Sequence, residues 1–318
     1  MIIYTPPETI TDIPVIDLSG LSAQSPETRR HVGWDMHKAC RETGFFYVSG
    51  HGVSQALIDA QLAWTERFFD LPEDRKAAVA YERGKAAYGF EPMLAQQLDE
   101  GSAPDLKESY MFGLPLGGRA TADFGANKWP EGFDGFEAHQ RAYHAAIGDL
   151  GLRIMRGIAL SLDLDEHWFD AFFENTVFSV RLLHYPPQSV IAAGNQMGAG
   201  AHTDWGGITI LLQDDKGGLE VQTAAGTWIR ATPQAGCFVV NLGDLLRRWS
   251  NDVYKSTLHR VLNNVSGQDR YSVPAFFGPR DDAVIECIAS CCQDRPRLYP
   301  PITARAHTQD MIRRTYGG

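Results

Sequence analysis

Hydrophobic residues recur at intervals of three and four over several long stretches of the chain, a spacing that predicts amphipathic helices. These stretches are 28–42, 54–69, 135–162 and 303–315. The first one ends before Gly44, a residue type that commonly terminates helices. Phe45-Phe46-Tyr47-Val48 follows without a polar position and predicts a buried strand. The region 80–133 is rich in Gly, Pro and Ala and matches neither period.

From about residue 176 the pattern changes to short β-rich runs. They occur at 178–184, 208–213, 219–222, 227–230, 237–240, 257–262 and 271–277. Turn-forming residues such as Pro186-Pro187 and Gly217-Gly218 separate these runs. Many short strands with regular turns predict a mainly β fold, namely a jelly roll or related barrel with flanking helices.

Three segments follow from this pattern. We expect an N-terminal helical or mixed region at 1–175 that packs on the core, a β-core at 176–280, and a C-terminal strand and helix at 281–318 that acts as a lid. No linker-like segment separates them, so we expect one compact unit.

The composition excludes several classes of protein. Of 318 residues, 44% are hydrophobic and 21% charged, which excludes disorder as the main description. The net charge of −10 argues against nucleic-acid binding. No apolar run reaches the roughly 18 residues that a membrane helix needs. The N-terminus also lacks the basic and apolar segments of a signal peptide.

The five cysteines indicate a reducing compartment, and we expect a cytoplasmic protein. Cys287, Cys291 and Cys292 lie close together, so a structural zinc site is one interpretation. Their spacing is not C-x-x-C, and no second pair could complete four ligands. We therefore favour free thiols.

One histidine is followed two residues later by an acid, in His202-Thr203-Asp204. On an extended segment these two side chains point to the same side. His259, in a later β-rich run, could supply a third ligand. Two histidines and one carboxylate form the facial triad that binds Fe(II) in non-haem oxygenases. The alternative for each histidine is a hydrogen-bonded structural residue, because one such tripeptide is expected by chance.

Arg270 and Ser272 lie two residues apart in a β-rich run and should share one face. A guanidinium beside a hydroxyl can bind a carboxylate, whereas the alternative is an arginine that stabilises the sheet surface. Tyr185 could add a hydroxyl or could be a buried core residue.

Short motifs along nearly the whole chain occur in the order and spacing of one family. They are Ile13–Ser19, Ala39–Phe46, His51-Gly52-Val53, Phe68–Pro72, His202-Thr203-Asp204, Leu242-Gly243-Asp244, Trp249-Ser250-Asn251, His259-Arg260-Val261 and Arg270-Tyr271-Ser272. In these motifs the chain resembles the isopenicillin-N-synthase-like branch of the iron(II)/2-oxoglutarate-dependent oxygenases.

The resemblance implies a double-stranded β-helix (jelly roll) core and a set of site residues. His202, Asp204 and His259 would bind the catalytic Fe(II), while Arg270, Ser272 and Tyr185 would hold the co-substrate 2-oxoglutarate. The implied reaction consumes O2 and hydroxylates or desaturates a small organic molecule through a ferryl intermediate, with release of succinate and CO2.

Two alternatives remain open beside this interpretation. The chain has Leu183 where many plant relatives have an asparagine, two residues before the tyrosine, so one contact to 2-oxoglutarate is in question. Isopenicillin N synthase keeps the Arg-x-Ser motif and uses no 2-oxoglutarate, so an Fe(II) oxidase is one alternative. A non-catalytic metal-binding relative is the other.

The substrate is not identified by the sequence beyond a small molecule, with no nucleic-acid or membrane partner and no indication of oligomeric state. By resemblance, candidate substrate contacts are Tyr110, Phe112, Trp205, Phe276 and Arg305. The tail from Arg295 has five arginines and one acid, so a basic lid over an anionic substrate is possible, and an ordinary C-terminal helix is the alternative. Lys107 and Glu108 are expected to form a solvated pair.

Overall fold

The computed structural model describes residues 4–82, 88–99, 102–116, 127–188, 196–293 and 295–316. Its helices are α1 Pro26–Glu42, α2 Gln55–Phe69, α3 Glu73–Ala77, α4 Phe136–Ser161, α5 Asp170–Phe173, α6 Asp244–Trp249 and α7 Ala304–Tyr316. Short 3₁₀ turns occur at Leu18–Ser22 and Ala289–Cys292. None of the helices in these ranges is long and apolar enough to cross a membrane.

The strands form three sheets. They are β1 Val15–Asp17, β2 Phe45–Ser49, β3 Gly89–Glu91, β4 Glu108–Pro115, β5 Val177–Tyr185, β6 Ala199–His202, β7 Ile208–Gln213, β8 Leu219–Gln222, β9 Trp228–Arg230, β10 Phe238–Leu242, β11 His259–Val261, β12 Arg270–Phe277, β13 Val284–Ile285 and β14 Ile302–Thr303. Among the described residues, the large sheet has the order β1-β2-β10-β7-β12-β5-β4-β3 and the smaller one β6-β11-β8-β9, while β13 pairs with β14.

The helix boundaries follow from local chemistry. Ser25 and Ser54 precede α1 and α2, and each hydroxyl accepts a hydrogen bond from a backbone N–H in the first turn. Gly44 ends α1 at a φ of 69°, where its N–H bonds to the carbonyl of Ala39. The strand β2 then enters the large sheet directly, as the apolar run predicts.

The large sheet is covered on both faces. One face packs against α1, α2 and α4 in the main hydrophobic core, and the other packs against the smaller sheet around a second core that includes Phe45, Tyr185 and Val261. Side chains alternate between the two faces along a strand, so every second residue enters the same core. Residues of one strand that are separated by an even number of positions are said to have the same parity. We call the face toward the smaller sheet the inner face.

The structure confirms the predicted β-core with flanking helices. The strands β7 and β8 have the predicted bounds, and the four long predicted helices are all present. Strands β3 and β4 lie in the region 80–133 that matched no period, and β6 was not predicted. Because β1 to β4 join a sheet with strands from beyond residue 176, we propose that the first two predicted segments form one unit.

One expectation about the cysteines is corrected. Cys287 and Cys292 are joined in a disulfide, whereas the sequence favoured free thiols throughout. The segment that links them includes the 3₁₀ turn Ala289–Cys292, which folds the chain back on itself. Cys40, Cys237 and Cys291 are free, as expected.

Candidate active site

Two histidines face each other across neighbouring strands of the smaller sheet. His202 of β6 pairs directly with His259 of β11. The Nδ1 atom of each ring bonds to a backbone carbonyl two residues earlier, at 2.7 Å to Gly200 and 3.1 Å to Thr257. A carbonyl oxygen only accepts, so Nδ1 carries a proton, and in the neutral imidazole Nε2 then keeps its lone pair. Both rings therefore offer Nε2 as a metal ligand.

Asp204, just after β6, completes the cluster. Its Oδ2 accepts hydrogen bonds from Thr209 at 2.5 Å and Asn241 at 2.7 Å, both on the inner face of the large sheet. Its carboxylate oxygens lie 4.0 Å from Nε2 of His202 and 3.9 Å from Nε2 of His259. The three ligand atoms lie within 4.8 Å of one another, which suits a single metal ion.

The electrostatics favour the metal-binding forms of His202 and Asp204. Burial, reinforced by the nearby His259, lowers the pKa of His202, so its imidazole is neutral. Burial raises the pKa of Asp204, but His259 and His202 outweigh this effect and lower it, so the carboxylate is ionised. Two imidazole ligands and one carboxylate suit Fe(II), and such a complex keeps one positive charge for an anionic co-ligand.

Arg270, Ser272 and Tyr185, the candidate 2-oxoglutarate residues, lie together on the inner face. Arg270 and Tyr185 are paired positions on β12 and β5, and the guanidinium carbon lies 4.6 Å from the centre of the tyrosine ring. Nη1 of Arg270 lies 3.4 Å from the hydroxyl of Ser272, and its Nε donates to the carbonyl of Gly217. Burial raises the pKa of Tyr185, which keeps the phenol protonated as a donor.

Arg270 has no close ion-pair partner among the described residues, and the Asp214 carboxylate interacts with it only at longer range. Arg270 is 2% exposed, and no acidic side chain in the described ranges lies within 4.0 Å of its guanidinium nitrogens. An unpaired buried charge is costly, so this arrangement indicates that a ligand supplies the carboxylate. Leu183 occupies the paired position opposite Ser272, where it offers no hydrogen bond.

Strand register connects this arginine to the metal cluster. Arg270, Ser272 and Phe276 have the same parity on β12, and Phe276 pairs with Thr209, whose hydroxyl contacts Asp204. The structure therefore places Phe276 on the same face as the cluster. Trp205 is adjacent in sequence to Asp204 and half-buried.

Two predicted substrate residues are corrected. Tyr110 and Phe112 on β4 point away from the inner face, are fully buried, and pack in the main core against Phe136 and Trp129. The resemblance indicated the right strand but the wrong parity. Arg305 on α7 is half exposed and pairs with Asp281 at 3.2 Å.

The inner-facing residues of β4 and its neighbours form a polar wall that the sequence did not indicate. Nη1 of Arg181 donates to Gln96 at 2.9 Å, and its Nη2 lies 3.4 Å from Glu91. Gln96 and Ser109 also donate to the same Glu91 oxygen, at 2.9 and 3.1 Å. Arg181 has the parity of Leu183 and Tyr185, so this polar wall faces the same interior as the 2-oxoglutarate candidates.

The expectation that Lys107 and Glu108 form a solvated pair is wrong. They point to opposite faces of the sheet, and their side chains are 4% and 8% exposed. Lys107 pairs with Asp105, whereas Glu108 contacts Lys76 and His184 on the helix side. Four further residues around the candidate site could not be found from sequence spacing, because none of them belongs to a local motif. They are Thr209, Asn241, Asp105 and Arg181.

Comparisons with known proteins identify the family of the chain. Residues 13–132 match the family described as non-haem dioxygenase in morphine synthesis N-terminal, and residues 177–279 match the 2OG-Fe(II) oxygenase superfamily. The chain is 36% identical over 316 residues to a 2-oxoglutarate-Fe(II) type oxidoreductase of Emericella nidulans, an alignment that covers 95% of this chain and 89% of the relative.

Two further relatives have named substrates or ligands. A homoarginine-6-hydroxylase of Oryza sativa subsp. japonica is 36% identical over 295 residues, covering 88% of this chain and 89% of that protein. The crystal structure of a full-length Neurospora crassa protein in complex with alpha-KG and thymine superimposes with a TM-score of 0.85 and 30% identity, covering 96% of each chain.

Proposed function

The chain belongs to the 2OG-Fe(II) oxygenase superfamily, and from this premise we propose which of its residues carry the reaction. It is a dioxygenase that uses Fe(II), 2-oxoglutarate and O2, and the comparisons do not support an oxidase that dispenses with 2-oxoglutarate. His202, Asp204 and His259 hold the iron in this proposal. The observation that carries it is the set of three ligand atoms within 4.8 Å, oriented by backbone and side-chain hydrogen bonds.

The bound metal supplies activation of O2, coupled to conversion of 2-oxoglutarate to succinate and CO2 and oxidation of a C–H bond. The protein residues bind and orient. Arg270 and Ser272 bind the distal carboxylate of 2-oxoglutarate, and Tyr185 lies against the guanidinium. The buried guanidinium of Arg270, which has no carboxylate within 4.0 Å among the described residues, supports this assignment.

We infer that the substrate is a small polar molecule that presents an N–H donor beside a C=O acceptor. The polar wall offers both complements, since Arg181 donates and the Glu91 carboxylate accepts. The side chains of Arg181 and Glu91 are 17% and 20% exposed, which leaves both of them partly accessible. Thymine and homoarginine, named with two relatives, both have neighbouring nitrogen and oxygen groups. Phe276 and Trp205 would then pack against the substrate.

Anaerobic spectroscopy tests the cofactor assignment directly. Protein mixed with Fe(II) and 2-oxoglutarate should develop a weak charge-transfer band in the visible, and His202→Ala should abolish it. His167→Ala is a matched control, because His167 also contacts an acid, Asp170, but lies on the surface. A band that survives in His202→Ala would refute the metal assignment.

Succinate release in the presence of candidate substrates tests the substrate class. Compounds with a neighbouring N–H and C=O, beginning with thymine and homoarginine, should stimulate release in the wild type. Arg181→Leu should raise the KM of a stimulating compound and leave 2-oxoglutarate affinity unchanged. Stimulation by apolar acids alone would contradict this substrate class.

A further inference from the structure

The strand that carries His202 lies at the edge of its sheet. Within the described residues, β6 pairs with β11 on one side only, and its other edge has no strand partner. Unpaired backbone groups at such an edge leave a strand free to shift unless another segment binds them. A shift of β6 would displace His202.

The segment just before β4 lines this open edge. Oδ1 of Asp105 accepts the N–H of Gly200 at 2.9 Å, and the N–H of Leu106 donates to the carbonyl of Met197 at 2.9 Å. Gly200 is also the residue whose carbonyl accepts Nδ1 of His202. A single peptide segment thus connects the Asp105 carboxylate with the imidazole of His202.

The loop before β4 also packs closely against β6 at Gly200. A Cβ atom at position 200 would come within 2.8 Å of the backbone nitrogen and Cβ of Asp99. Only glycine allows the loop before β4 to approach β6 so closely. This close approach brings the Asp105 carboxylate within hydrogen-bond distance of the backbone of β6.

The carboxylate is buried together with a cation. Asp105 and Lys107 have side chains that are 1% and 4% exposed, and the ammonium group donates to Oδ2 of Asp105. A buried ion pair is seldom needed for stability, because its desolvation offsets much of its attraction. A neutral acceptor would satisfy the N–H of Gly200 equally well. What the pair adds is a defined orientation, since Lys107 holds one oxygen while the other binds β6.

We propose that Asp105 is a positioning residue for the metal ligand His202, acting through Gly200, and that Lys107 orients its carboxylate. This inference rests on the proposed role of His202. Lys107 has the same parity on the chain as Ser109, so the pair also joins the metal ligand to the strand that carries part of the polar wall.

The hydrogen bond and the charge can be separated with double variants. Asp105→Asn with Lys107→Met removes both charges but keeps an acceptor for Gly200, whereas Asp105→Ala with Lys107→Met removes the acceptor as well. Fe(II) affinity is measured by titration of the protein in the presence of 2-oxoglutarate, and the d–d spectrum of the Co(II)-loaded protein reports ligand geometry.

We expect the alanine variant to bind Fe(II) about 10-fold more weakly, with an altered Co(II) spectrum, and the asparagine variant to recover most of the affinity. Asp170→Asn is the control, because it removes a carboxylate that pairs with Arg156 outside the cluster, and should leave Fe(II) affinity unchanged. Thermal unfolding identifies any variant that is not folded.

The two proposals fail in different ways. Wild-type Fe(II) affinity and spectrum in the alanine variant would overturn the positioning role, as would equal losses in the alanine and asparagine variants. In either case His202→Ala would still lose iron. Retention of iron by His202→Ala would instead overturn the metal assignment itself.

Discussion

His202 and His259 occupy directly paired positions on antiparallel strands, and their ring centroids are 4.3 Å apart. Such pairing brings two side chains to the same face without help from other residues. Asp204 lies beyond the end of β6 and lacks this support. Its carboxylate is fixed by hydrogen bonds from Thr209 and Asn241 instead, so these bonds are where the cluster is most easily weakened.

Thr209→Val should weaken metal binding without a change of fold. The substitution keeps the shape of the side chain and removes the 2.5 Å hydrogen bond to Asp204. Loss of a hydrogen-bond partner of a metal ligand typically lowers metal affinity about 10- to 100-fold. Titration with Fe(II) in the presence of 2-oxoglutarate measures the effect.

Thr176→Val is the matched control for this variant. Thr176 is equally buried, and its hydroxyl donates a single hydrogen bond to the carbonyl of Gly278. Loss of this hydrogen bond should lower the free energy of unfolding by about 1 kcal/mol and leave Fe(II) affinity unchanged. Equal affinities for Thr209→Val and the wild type would show that the carboxylate needs no such support.

Arg270→Met should sharply reduce affinity for 2-oxoglutarate. The guanidinium is the buried cation that the ligand carboxylate would neutralise, and loss of one partner of such a pair costs about 2–5 kcal/mol, or roughly 30-fold or more in Kd. Arg270→Lys should restore little, because an ammonium cannot form two parallel hydrogen bonds. The charge-transfer band measures Kd directly.

Arg260→Met provides the comparison. Arg260 pairs with Glu220 at 2.8 Å and lies over the ring of Trp228, so it loses a similar set of contacts on the other side of the small sheet. The affinity of the Arg260→Met variant for 2-oxoglutarate should equal that of the wild type. If both variants bind 2-oxoglutarate normally, the co-substrate carboxylate binds elsewhere.

The sequence predicted the parts of the site that depend on short-range spacing. His202 with Asp204, and Arg270 with Ser272, are two residues apart, and strand periodicity alone places each pair on one side. His259 was only one candidate from its place in a β-rich run, and the family motif strengthened that choice, because its pairing with His202 is a contact between distant segments. The polar wall was not predicted, because Glu91 and Arg181 come together through sheet register and Gln96 reaches both of them from the loop after β3.

The predictions for β4 assigned the wrong alternate residues of the strand to the inner face. The resemblance assigned Tyr110 and Phe112 to the substrate side without fixing which alternate residues of the strand face inward. Their neighbours Ser109 and Met111 do so, since they pair with Leu183 and Arg181 on β5. A shift of one residue exchanges the two faces, and the irregular composition of 80–133 gave no alternation from which to choose.

Phe112→Leu tests this correction. The ring is fully buried against Trp129 and Tyr110, so the smaller side chain should lower the free energy of unfolding by on the order of 1–2 kcal/mol. The KM of a stimulating substrate should not change. Phe276→Leu, on the inner face, should show the opposite pattern, with a raised KM and a smaller loss of stability. A raised KM in Phe112→Leu at unchanged stability would return Phe112 to the substrate site.

The stability of the protein should depend on His184 at neutral to alkaline pH. Burial lowers the pKa of this histidine, but hydrogen bonds to Glu108 at 2.7 Å and Asp269 at 2.8 Å outweigh burial, and the pKa is raised. In the unfolded chain a histidine titrates near pH 6.5. The folded protein therefore binds this proton more tightly.

The sign of the pH effect follows from that difference. The contribution of His184 is fully present below the unfolded pKa and is lost as pH rises through the higher folded pKa, so the free energy of unfolding should fall over that window. Urea unfolding at a series of pH values should show a shallower fall in His184→Gln. In His144 burial lowers the pKa to about 4, so His144→Gln should keep the wild-type slope above neutral pH. Parallel curves for His184→Gln and the wild type would mean that the proton is not held between the two carboxylates.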